Sequence, residues 1–154
     1  MNIFYVNQDP MIAARELCDK HVVKMIVEGI QMMSTAHHVL VPTAKYLEDL
    51  YKPSHTNHPC NKWIRVSSSN YNWLYYHTEE LSREYTRRYG KNHRSAEKLK
   101  LTWINPSPVG PETTPPQCMP DEFKVTDNPV QAYQNFYVHD KACLLYTSPS
   151  PRDS

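Results

Sequence analysis

The stretch that most limits how this chain can fold runs from Asp19 to Leu40, DKHVVKMIVEGIQMMSTAHHVL. Wound as an α-helix, it sets His21, Lys24, Glu28, Gln31, Thr35 and His38 three or four residues apart, in one polar stripe. Nearly everything off the stripe is apolar, from Val22, Met25 and Ile26 through Ile30 and Met33 to Leu40. A surface helix carries an apolar stripe on a polar cylinder. This one is the inverse, which predicts a central, mostly buried helix. Charged and imidazole groups buried without partners cost several kcal/mol each, so these must be paired or must line a wet cleft. Taken singly, Lys24 and Glu28 could be an ordinary i,i+4 salt bridge, and His21 and His38 satisfied core histidines. Six polar residues in register favour the cleft.

Bulk properties narrow the class. A chain of 154 residues makes one domain with a real core, and a net charge of +1 announces neither a nucleic-acid nor a membrane partner. No run approaches the ~20 apolar residues of a membrane span, and the first residues lack a basic-then-apolar leader. The four cysteines form no regular framework, which points to a reducing compartment. The expectation is a soluble cytoplasmic protein of a bacterial or phage-infected cell. Residues 143–153, CLLYTSPSPRD, resemble a translated sequencing adapter. The native domain is therefore expected to be 1–142 and residues 143–154 a non-native tail, leaving Cys18, Cys60 and Cys118.

Along the chain, residues 2–6 are β-prone but too short to found a sheet. Asp9-Pro10 starts a short helix to about Cys18, and Asp19 is placed to cap the long striped helix. Residues 41–58, broken by Pro42 and Pro53, read as a connection with one helical turn. His58-Pro59 opens a helix through Val66. Ser67 to Ser69 cap a second long helix, Asn70 to Tyr89, with Gly90 as its left-handed stop. A shorter helix runs from Ser95 to near Trp103. Residues 105–122 hold six prolines and predict an extended strap, and Asn128-Pro129 starts a last helix. The fold class is mainly α, a single compact helical domain of four or five helices. It has a central buried helix, a short extended N-terminal segment and a proline-rich strap.

Residues 83–100 carry seven Lys or Arg against two Glu, with Tyr85 and Tyr89 interleaved. Such a run contacts phosphates and stacks on bases, or is simply a solvated helix end. Cys18-x-x-His21 with His58-x-Cys60 offers a Cys2His2 set, but both spacings are tighter than usual zinc patterns, so no metal is assigned. Cys118 has no evident base beside it and is expected to be inert. No Gly-rich phosphate loop, nucleophile elbow or cofactor fingerprint is present. The stripe itself suits proton transfer or imine chemistry at a sugar carbon, with a carboxylate shuttling protons. Lys24 and the chain's α-amine are the candidate nucleophiles, since α-amines titrate near ~7.7–8.

The pattern Glu16-Leu17-x-Asp19-x-His21, with Glu28 seven residues after the histidine, resembles the opening of the T-even phage pyrimidine-dimer DNA glycosylases. A second likeness is Glu84-Tyr85-x-Arg87-Arg88-Tyr89-Gly90; a third is the aromatic element around Tyr133, Phe136, Tyr137 and Lys141. The resemblance implies a compact helical enzyme without metal or cofactor. Such an enzyme flips a nucleotide out of double-stranded DNA, attacks C1′ with its N-terminal amine and cuts the strand by β-elimination. On that reading Glu28 is the catalytic carboxylate, and the amine belongs to Met1, or to Asn2 if the initiator is removed. His21 and Lys24 tune the site, Gln31, Thr35 and His38 face the substrate, and Arg87, Arg88, Lys91 and Arg94 hold phosphates. Where the family has arginines flanking its glutamate, this chain has Val27 and Gln31, and where it has Thr at residue 2 this chain has Asn. A monomeric DNA glycosylase with abasic-site lyase activity is the expectation. The rivals are an enzyme of free nucleotides or small metabolites, and a non-enzymatic phage binding protein.

Overall fold

The computed structural model describes residues 1–139, so the tail from 143 and the Lys141 likeness lie outside the described residues. Among the described residues six α-helices form: α1 (Pro10–Arg15), α2 (Asp19–Leu40), α3 (Pro59–Val66), α4 (Ser68–Tyr89), α5 (Ala96–Leu101) and α6 (Pro129–Val138). That exceeds the four or five expected, and two short 3-10 turns add Lys45–Asp49 and Asp121–Phe123. No strand forms among the described residues.

Local chemistry places the ends. Asp9 accepts from Met11 and Ile12 N–H ahead of Pro10, and Ser67 Oγ accepts from Asn70 N–H. Gly90, at φ 70°, closes α4 in the left-handed conformation that a side chain resists. Asp19 is not the cap expected of it. Cys18 occupies the N-cap position and makes no capping hydrogen bond to the helix, and Asp19 instead pairs with Arg88.

The long helices α2 and α4 pack side by side, with α1 and α3 against α4. Val22, Ile26, Ile30, Met33, Tyr71, Leu74 and Leu81 are fully or almost fully buried between them. Burial of such side chains is worth about 1.5–3 kcal/mol each, which holds α2 at the centre. The closest approach is at Gly29, where an added Cβ would meet Thr78 Oγ1, itself fixed by a bond to the Leu74 carbonyl. Gly29→Ala is therefore expected to destabilise the fold by ~1–3 kcal/mol, despite alanine's better helix propensity. Urea denaturation checks this, and adding Thr78→Ala should recover most of the loss.

The strap fastens to α3 and to the first turn of α4. Its carbonyls at Pro108 and Gly110 accept from Ser68 and Ser69 N–H, donors that the first turn of α4 leaves open. Trp63 Nε1–H donates to Thr113 O, and Asn70 and Thr113 bond reciprocally. Farther on, the strap reaches the N-terminal segment, where Asn2 Nδ2 donates to Cys118 O at 3.0 Å.

Candidate active site

The stripe on α2 divides into three uses. Near its middle, Lys24, Glu28 and Gln31, with Val23 and Val27, form one wall of a cleft of about 630 Å³. Tyr85 of α4 and the segment Lys91 to Arg94 form the other wall. That volume lies within the ~300–1,000 Å³ of small-ligand sites.

Toward the C-terminal end, Thr35 and His38 leave the cleft. Thr35 Oγ1 donates to Gln31 O at 2.9 Å and accepts from Ser54 N–H at 3.0 Å, while His38 Nε2 bonds Tyr51 O at 3.1 Å. Both fasten the 41–58 connection to α2 and, though expected to face the substrate, lie outside the cleft lining. At the N-terminal end, His21 is buried against the first residues of the chain. Its ring stacks on Phe4 at 4.4 Å and its Nδ1 is hydrogen-bonded to Tyr137 OH at 3.0 Å.

The chain's own start completes the arrangement. Asn2 Oδ1 accepts from Ile3 and Phe4 N–H at 2.7 and 3.0 Å, and Phe4 turns at φ 45°, a conformation that costs a non-glycine residue ~1–2 kcal/mol. This turn brings the Met1 α-amine to 3.3 Å from Glu28 Oε1. Glu28 Oε2 faces Lys24 Nζ at 3.6 Å, so both candidate amines flank one carboxylate. They differ in setting: the Lys24 side chain is 61 % exposed, whereas Met1 is partly buried. Glu28 Oε1 is buried and accepts no hydrogen bond, so its contact with the α-amine is an ion pair without hydrogen-bond alignment.

The basic run also divides. Lys91 and Arg94 are exposed and line the cleft. Arg88 is buried, its Nε bonded to Glu84 Oε1 at 2.9 Å and its Nη1 to Asp19 Oδ1 and Leu17 O, each at 2.9 Å. Its Nη2 donates to Arg15 O at 3.1 Å. Arg88, expected at a phosphate, is thus engaged inside the fold and lies outside the cleft lining. Arg87 is half exposed but is bonded to Glu80 and Glu84 at 3.0 and 2.8 Å, outside the cleft lining. Burial pushes Glu80 and Glu84 up, yet hydrogen bonds from Arg15 and Arg87 to the first, and from Arg87 and Arg88 to the second, hold both below the usual carboxylate range.

Sequence reasoning missed two groupings: His37 between two tyrosines, and the meeting of Cys118 with the His58-x-Cys60 pair. His37, one position off the stripe, is buried between the hydroxyls of Tyr46 and Tyr71 at 2.8 and 2.9 Å, and burial lowers it to about 4. It stays neutral and ties α2 to α4. The second group lies on the strap side of Met1. Ligand atoms of His58, Cys60 and Cys118 all come within 4.8 Å of one another, and the two sulfurs are 3.5 Å apart. The Cys60 hydrogen bond holds the Cys118 thiol down to about 7, while that same pairing and burial push Cys60 up. Burial lowers His58 as well, with the α-ammonium nearby adding to the effect. Cys118, expected to be inert for want of a base beside it, therefore has His58 and Cys60 as neighbours, and Cys18 and His21 are not part of this group.

The family model for pyrimidine dimer DNA glycosylase matches residues 1–98, a span that includes Met1, Glu28 and every residue lining the cleft. No curated protein and no solved structure matches the chain.

Proposed function

The chain belongs to the pyrimidine dimer DNA glycosylase family, and on that premise we propose that it excises a damaged base from double-stranded DNA through an imine and then cuts the strand. The observation that carries this reading is the 3.3 Å approach of the Met1 α-amine to Glu28 Oε1 beside a cleft of nucleotide size. In its neutral form the amine attacks C1′ of the flipped nucleotide; the N–C bond forms as the glycosidic bond breaks, and the base leaves with a proton. Glu28 accepts the proton that the amine sheds and returns it to O4′ as the C1′–O4′ bond breaks, so the sugar opens to a protonated imine that acidifies C2′. Removal of the C2′ proton expels the 3′ phosphate by β-elimination.

The other groups have positioning roles on this reading. Asn2 and His21 fix the turn that presents the amine, Lys24 holds the second carboxylate oxygen, and Gln31 and Tyr85 face the nucleotide. Lys91 and Arg94 supply phosphate contacts that Val27 and Gln31 cannot. The chain acts as a monomer, and no cofactor has a role in these steps.

Acetylating the N-terminus, or adding one residue before Met1, is expected to abolish strand cleavage at an abasic site, while Lys24→Arg retains it. Cleavage that survives the block and falls with Lys24→Arg would move the nucleophile to Lys24. The apolar Val27 and the neutral Gln31 on the cleft wall favour one second reading, an enzyme of free nucleotides. Salt separates the two. Duplex binding should weaken with a log–log slope of about −0.9 per phosphate contact, and free-nucleotide binding should barely change.

A further inference from the structure

We propose that His58, Cys60 and Cys118 form a binding site for a thiophilic divalent cation of the zinc type, which fastens the proline strap to the start of α3 beside the N-terminal amine. The three residues come from two distant parts of the chain: His58 and Cys60 flank Pro59 at the first turn of α3, and Cys118 lies in the strap. Donor atoms around a tetrahedral zinc, with Zn–S near 2.3 Å and Zn–N near 2.0–2.1 Å, stand roughly 3.5–3.8 Å apart. The sulfurs of Cys60 and Cys118 are already 3.5 Å apart, and the whole set lies within 4.8 Å. Closing the widest separation takes about 1 Å of side-chain adjustment.

Softness selects the ion. Two thiolates and an imidazole suit zinc and its relatives, and discriminate against magnesium and calcium, which take oxygen ligands. Two thiolates also cancel the charge of a divalent cation, so the site needs no further anion. His58 Nδ1 now accepts from Cys60 N–H at 3.1 Å, and ligation through that atom would exchange the hydrogen bond for a metal bond. Three protein ligands leave a fourth position for water.

The consequence is mechanical. Cys118 O accepts from Asn2 Nδ2, the same side chain whose Oδ1 holds the turn at Phe4. A cation at Cys118 would stiffen the strap where it grips residue 2, and so steady the α-amine against Glu28. The site does not rest on the imine reading, since a chain without lyase activity would bind the ion equally well.

The test is a titration of the reduced full-length chain with cobalt(II), followed by displacement with zinc. The expected result is one equivalent bound, with a thiolate-to-cobalt charge-transfer band and the visible bands of tetrahedral cobalt, and a zinc-dependent rise in melting temperature. Cys118→Ser, in the half-exposed strap, should abolish the charge-transfer signature and the melting shift, and His58→Gln should weaken binding at least tenfold. Cys60→Ser removes a fully buried group and is the less secure variant, so the other two carry the test. No charge-transfer band from the reduced native chain overturns the proposal. So does an unchanged band in Cys118→Ser, or a Cys60–Cys118 disulfide whose reduced form takes up no cobalt.

Discussion

Glu28→Gln is expected to give a folded protein whose single-turnover base excision and strand cleavage fall on the order of 10²–10⁴-fold, the usual contribution of a positioned proton-transfer group. The substitution keeps the shape of the side chain and removes its charge and proton affinity. Its two partners, the α-ammonium at 3.3 Å and Lys24 Nζ at 3.6 Å, lose a counter-charge. Lys24 is mostly exposed, so the lost pairing there should cost no more than ~1 kcal/mol of stability. A melting curve close to that of the native protein, beside a collapsed rate on duplex carrying an abasic site or a cyclobutane dimer, is the expected pair of results. Activity within a few-fold of native would remove Glu28 from the mechanism.

The largest effect on stability is expected from Arg88→Ala. That guanidinium joins α4 to the α1–α2 corner through Glu84, Asp19 and the carbonyls of Leu17 and Arg15. Removing it leaves the buried Glu84 carboxylate held by Arg87 alone of the two arginines, and strips Asp19 and the Leu17 and Arg15 carbonyls of a shared buried donor. Breaking a buried charge network of this kind costs about 3–5 kcal/mol. For a chain of this size that is a fall in melting temperature of roughly 10 °C or more. Arg87→Ala, by contrast, removes a half-exposed group whose pairs are screened by solvent, and should cost on the order of 1 kcal/mol. Urea denaturation of the two variants checks the contrast. An Arg88→Ala protein of native stability that had lost DNA affinity would restore the phosphate role to Arg88.

The same network dictates how stability responds to acid. Glu80 and Glu84 are held below the ordinary carboxylate range in the folded protein. Their contribution is complete above the unfolded value of about 4.3 and is lost as pH falls through the lower folded values. Arg88→Ala should weaken that acid dependence as well as the fold.

Local rules made much of the architecture legible. Asp9-Pro10, His58-Pro59 and Asn128-Pro129 each start a helix because a cap acceptor precedes a residue with no N–H to satisfy. Gly90 ends α4 because it alone takes φ 70° without strain. The inverted polarity of Asp19–Leu40 put α2 at the centre, and part of its stripe does line the cleft.

What escaped the sequence was which partner each polar group would find. Arg87 and Arg88 are neighbours in sequence but point about 100° apart on a helix, so one turns inward to Asp19 while the other stays half exposed. Lys91 to Arg94 fall beyond the Gly90 turn, where helical spacing no longer predicts direction, and this is how they reach the cleft. Thr35 and His38 kept the register of the stripe, yet the 41–58 connection lies over them. The meeting of Cys118 with Cys60 spans 58 residues and depends on the course of an extended strap that has no periodicity to read. The positive φ at Phe4 has no glycine to mark it.

The most direct measurement is borohydride trapping. The native chain is incubated with duplex DNA containing an abasic site, the imine is reduced, and the adduct is digested and mapped by mass spectrometry. The proposed mechanism predicts a single covalent adduct on the α-amine of the first residue, abolished by N-terminal acetylation. An adduct on Lys24, or none from a chain shown to be folded, would contradict it.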